Sequence, residues 1–72
     1  MKILNRPYTS DAGEVIADIL KEHDLYLANM TLLSKVKNDE TWQDNESKKI
    51  ITITIYSTYV TVRIGVKYES DR

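Results

Sequence analysis

Few residues in this chain are equipped for chemistry. Its 72 residues include one histidine, two glycines and no cysteine. A thiol nucleophile and a cysteine metal cage are excluded, and a Ser-His-Asp relay would have to run through His23. That histidine lies beside Leu20, on or near the apolar stripe of a predicted helix, where a lone ring is more often a boundary residue than a general base. Asp18 with Glu22 and Asp39 with Glu40 bring carboxylates together, but in segments that read as solvated surface. Gly13 and Gly65 alone cannot build a glycine-rich phosphate loop, and metal-ligand spacing is absent. The expectation is a protein that is not an enzyme and uses no cofactor or metal.

Two features stand out as candidate binding residues. From Lys48 to Tyr68 the basic residues are Lys48, Lys49, Arg63 and Lys67, with no acidic one, whereas the segments 9–24 and 38–47 carry an acidic excess. Strict alternation places Tyr56, Tyr59, Arg63 and Lys67 on the outer face of a predicted hairpin. Tyrosines can stack on bases there and the cations can meet phosphates. The same residue types also suit the wet face of any antiparallel sheet, where charge discourages edge aggregation. The second feature is Trp42, the only tryptophan, which sits in a polar, acidic stretch with no local reason for a large aromatic. It reads either as a cap folded onto the core or as an exposed anchor for a partner protein.

The elements that must position these residues follow from periodicity. Ala12, Val15, Ile16, Ile19 and Leu20 recur at three- and four-residue spacing, which predicts an amphipathic helix within 9–24. Ser10 or Asp11 can cap its first turn, and Asp11 with Glu14 fits the spacing of a capping box. Ile51, Ile53 and Ile55 alternate with Thr52, Thr54 and Tyr56, and Val60, Val62, Ile64 and Val66 repeat the pattern. Reversal at Ser57-Thr58 then pairs Ile55 with Val60, Ile53 with Val62 and Ile51 with Ile64, keeping the apolar residues on one side.

The middle admits two readings. A strand from Met30 to Lys37 would face Met30, Leu32 and Val36 inward and widen the platform under the helix, since a lone hairpin is rarely stable. A helix would instead align Leu25, Ala28, Leu32, Leu33 and Val36. Helix, helix and hairpin in that order resemble the topology of a winged helix-turn-helix, although that domain usually has a third helix and this segment has only Lys35 and Lys37 as positive residues. The strand is preferred. The stretch 38–47 reads as an exposed acidic loop, and 69–72 as a frayed tail.

Apolar residues make up 42% of the chain and charged ones 29%, a globular rather than disordered composition. The chain is expected to form one α+β domain over 1–72, with one amphipathic helix on a small antiparallel sheet of about three strands. So short a core, without disulfide or metal, gives weight to a homodimer. No apolar run suits a secretory signal or a membrane span, so a cytoplasmic protein with no membrane partner is expected. The leading function is a small protein-interaction module, a regulator or inhibitor that binds a partner protein. The alternative is a small nucleic-acid-binding regulator that uses the basic, Tyr-bearing face.

Overall fold

The β-branched runs at the end of the chain form the centre of the sheet. In a computed structural model describing residues 2–65, β1 (Lys2–Pro7) leads to α1 (Ala12–Glu22) and a short 3-10 turn (Leu27–Asn29). Four strands follow: β2 (Met30–Val36), β3 (Asp39–Asp44), β4 (Ile50–Ile55) and β5 (Tyr59–Ile64). They form one sheet of five strands in the order β1-β5-β4-β3-β2, every neighbouring pair antiparallel. The chain thus crosses from one sheet edge to the other through α1 and the segment after it.

The expected hairpin register is the observed one: Ile51 pairs with Ile64, Ile53 with Val62 and Ile55 with Val60. Four of these residues, Ile51, Ile53, Val60 and Val62, are fully buried under Ile16, Ile19 and Leu20 of α1. Pairing carries this face across the sheet, because partners in an antiparallel ladder point to the same side. Leu4 therefore joins Val62, while Trp42 joins Ile51 and Leu32. At the helix start the Asp11 carboxylate accepts the Gly13 N–H at 3.0 Å. At its end the His23 Nδ1 donates to the Ile19 carbonyl at 3.0 Å, which fixes the proton on that nitrogen because a carbonyl only accepts. Arg6 and Glu22 form a two-contact pair at 2.9 and 3.1 Å that ties β1 to the last turn of α1.

Three expectations need correction. The α+β class holds, but the sheet has five strands, not about three. The helix-helix-hairpin alternative fails because Met30–Val36 is a strand. The stretch 38–47 is largely strand β3, not a loop. Its polar composition signals a loop, but the exposed backbone of Ile50–Ile55 offers a ladder to any neighbouring chain of suitable alternation. Residues Asp39, Thr41 and Gln43 accordingly point to one face and Glu40, Trp42 and Asp44 to the other. The 69–72 tail, Val66 and Lys67 lie outside the described residues.

The true loop after β3 is organised by Asp44. Its buried carboxylate accepts from both the Ser47 N–H and Oγ at 2.8 Å, and its carbonyl accepts from Lys48, whose φ of 65° closes the turn. Bonds from the Ser47 backbone, then its hydroxyl, favour the charged carboxylate and hold Asp44 below its ordinary pKa.

Two outcomes follow from this packing. Ile53→Ala should cost about 2 to 5 kcal/mol, as large-to-small core changes do, measured by urea denaturation. A lowered folded pKa means that the Asp44 contribution is complete above the unfolded-state value and disappears as pH falls through the folded value. Asp44→Asn should therefore remove part of the acid loss of stability, read as a flatter urea midpoint against pH on the acid side.

Candidate functional site

The sheet presents two unlike faces. The helix face carries the core and is covered chiefly where α1 packs on β5. The opposite face lacks a covering layer among the described residues and is built from cross-strand rows. One row runs Asn5, Thr61, Thr54, Asp39 and Val36, and the next Ile3, Arg63, Thr52, Thr41 and Ser34. The first row is internally bonded: Thr61 Oγ1 donates to Asn5 Oδ1 at 2.6 Å and Thr54 Oγ1 to Asp39 Oδ1 at 2.7 Å. Thr54 and Thr61 are only 6% and 4% exposed, so this face is closely knit despite being polar.

The residues singled out from sequence do not form one cluster. Tyr56 and Tyr59 flank the Ser57-Thr58 reversal and stack on each other, with ring centres 4.6 Å apart. The Tyr8 hydroxyl donates to the Tyr56 carbonyl at 2.6 Å, adding a third tyrosine to that end of the sheet. Arg63 lies on the open face between Ile3 and Thr52, half-buried, four residues from Tyr59 and therefore about 13 Å along the strand. Lys67 is outside the described residues. Trp42 is on the other face, half-buried against the core, with its Nε1 donating to Glu40 Oε1 at 3.0 Å. Among the described residues no group of three or more His, Cys, Asp or Glu side chains could hold a metal ion, and no helix is long and apolar enough to cross a membrane.

A different surface gathers the exposed apolar residues. Leu32, Leu33 and Val36 are 44%, 51% and 62% exposed, all on β2, and Tyr26 and Leu27 just before it are exposed as well. Among the described residues β2 pairs only with β3, so its other edge is free. The register slips between Leu32 and Ser34, leaving Leu33 as the extra residue of a bulge. Before the bulge Met30 and Leu32 share the helix face. After it Lys35 takes that face, 3.7 Å from Glu40, and Val36 turns to the open face beside Asp39. The inward orientation expected for Val36 is thus reversed by one inserted residue, because side-chain direction alternates with period two.

Sequence reasoning missed this edge. The Leu32-Leu33 doublet was its signal, since two adjacent apolar residues cannot both face inward on a regular strand. The opposite edge is different: β1 carries Lys2, Arg6 and Pro7, and proline offers no N–H to an incoming strand. No protein-family model, curated protein or solved structure matches this chain.

If β2 is a free surface, Leu33→Lys and Val36→Lys should each change stability by no more than about 0.5 kcal/mol, as surface substitutions do. Thermal melts at sub-micromolar concentration check this, and a large loss would place these side chains in the core.

Proposed function

We propose that this chain is a non-enzymatic protein-interaction module, a small regulator or inhibitor, that receives a partner protein along the free edge of β2. The observation that carries the reading is the exposure of Leu32, Leu33 and Val36 on one unpaired edge strand. An edge supplies unpaired amides and carbonyls for a partner's strand, and apolar side chains above and below it supply burial. An unpaired edge strand with exposed apolar side chains is a ready template for pairing with another chain. The reading also fits the titratable groups, several of which are tied up locally: His23 with Ile19, Glu22 with Arg6 and Asp44 with Ser47. Catalysis usually needs such groups to converge in a concave pocket.

A second reading, nucleic-acid binding, rests on the exposed Tyr56–Tyr59 pair together with Arg63. It is weaker because Arg63 is half-buried beside Ile3 and the next row of the same face ends in Asp39 and Val36.

Affinity capture from the native cell, with and without nuclease, separates the two. A protein partner should survive nuclease, and Leu33→Lys or Val36→Lys should reduce its retention at least about tenfold, while Arg63→Ala leaves it unchanged. Loss of every captured species on nuclease treatment, with weaker capture by Arg63→Ala, favours the nucleic-acid reading instead.

A further inference from the structure

We infer that the occupant of the β2 edge is a second copy of this chain, paired antiparallel through β2 about a two-fold axis between Leu33 and Ser34. The inference rests on the reading of β2 as a docking edge and adds the identity and orientation of the partner. Three observations carry it.

The first is the asymmetry of the two edges. Lys2, Arg6 and Pro7 protect β1, whereas β2 carries a single charge, Lys35, among three exposed apolar residues. Pairing of β2 with β1 of another copy would be head-to-tail and open-ended. Pairing β2 with β2 closes as a dimer and leaves only the protected β1 edges outside.

Backbone geometry supplies the second. The Asn45 N–H donates to the Asn29 carbonyl at 2.9 Å, which makes Met30–Asp44 a non-hydrogen-bonded pair and Thr31–Gln43 a bonded one. By that alternation the N–H and C=O of Leu32 point away from β3, toward the open edge. Beyond the bulge those of Lys35 do so, because the Ile55 N–H bond to the Asn38 carbonyl leaves Asp39 facing β2 and makes Val36–Asp39 a bonded pair.

The third is charge. Lys35, with a side chain 61% exposed, and Lys37 sit at the C-terminal end of β2. At its N-terminal end lies the Asn45-Glu46 corner, joined to β2 by the Asn45–Asn29 bond and by Thr31 Oγ1 donating to Asn45 Oδ1 at 2.8 Å. Antiparallel self-pairing brings the basic end of each copy to the Glu46 corner of the other. Lys48 and Lys49 leave the same turn on the β4 side, farther from the edge by about one strand spacing of 4.8 Å. A two-fold between Leu33 and Ser34 sets Lys35 opposite Leu32 of the other copy, both on the helix face, so no like charges meet within the paired strands.

Sedimentation equilibrium of the purified full chain from low to high micromolar concentration tests this. The wild type should dimerise, and Leu33→Lys should weaken the dimer at least about tenfold, with Ile3→Lys on β1 as the unaffected control. Lys37→Glu and Glu46→Lys should each weaken it, and mixing the two single variants should restore association between unlike chains. This exchange keeps the inference testable should Leu33→Lys fail to fold. A wild type that stays monomeric overturns the self-pairing, even where β2-dependent capture of another protein upholds the docking reading. Dimerisation that Ile3→Lys abolishes and Leu33→Lys spares also overturns it.

Discussion

One short helix has to cover a wide sheet. An eleven-residue α1 is about 16 Å long and, with side chains, roughly 10 to 12 Å across, while five strands at about 4.8 Å spacing span some 19 Å between the outer two. The helix can cover little more than two strands, and it packs chiefly on β5. The buried residues on β4 and β5 lie where that cover falls. Along the row through Ile51, burial fades through half-exposed Trp42 to exposed Leu32, whereas Met30 at the start of β2 remains in the core. The exposure of Leu32 at the β2 edge is therefore a consequence of the ratio between helix and sheet.

The open face solves the same shortage of covering layers differently. A sheet face without a second layer must satisfy its polar groups within itself or by water. Here Thr61 bonds Asn5 and Thr54 bonds Asp39 across adjacent strands, so the β-branched methyl groups pack sideways while the hydroxyls are paired. Threonine suits both demands, since it favours strand geometry and carries a donor. This accounts for two threonines that are almost fully buried on a face with no layer above it among the described residues. It also makes that face a poor place for an adaptable binding surface, because its central groups already have partners.

Charge is arranged to hold corners and edges. Arg6 and Glu22 join the first strand to the end of the helix, although an exposed pair of this kind adds little net stability. Asp44 is more consequential: a buried carboxylate that accepts from Ser47 twice fixes the turn that sets β3 beside β4. The Tyr56–Tyr59 stack and the Tyr8 bond close the opposite end of the sheet.

By itself the sequence determined α1 with its buried stripe and the register of β4 with β5, while the choice of Asp11 over Ser10 as the cap came from the structure. Both depend on local periodicity, and for the hairpin the short Ser57-Thr58 reversal favours the register that keeps Ile51, Ile53, Ile55, Val60, Val62 and Ile64 on one side. Strand β2 was legible as an element but not in its facing, because the bulge at Leu33 inverts every side chain beyond it and the Leu32-Leu33 doublet is compatible with a regular strand as well as with a slipped ladder. Strand β3 was hidden behind its composition. Asp39, Glu40, Gln43 and Asp44 read as loop until the backbone of β4 supplies the ladder, and that partner comes from elsewhere in the chain. The candidate edge was legible only as the Leu32-Leu33 doublet: whether Leu32 is covered depends on how far a helix from another part of the chain reaches across the sheet, and Val36 is exposed because the bulge turns it to the face without a helix, both of which only the tertiary structure decides.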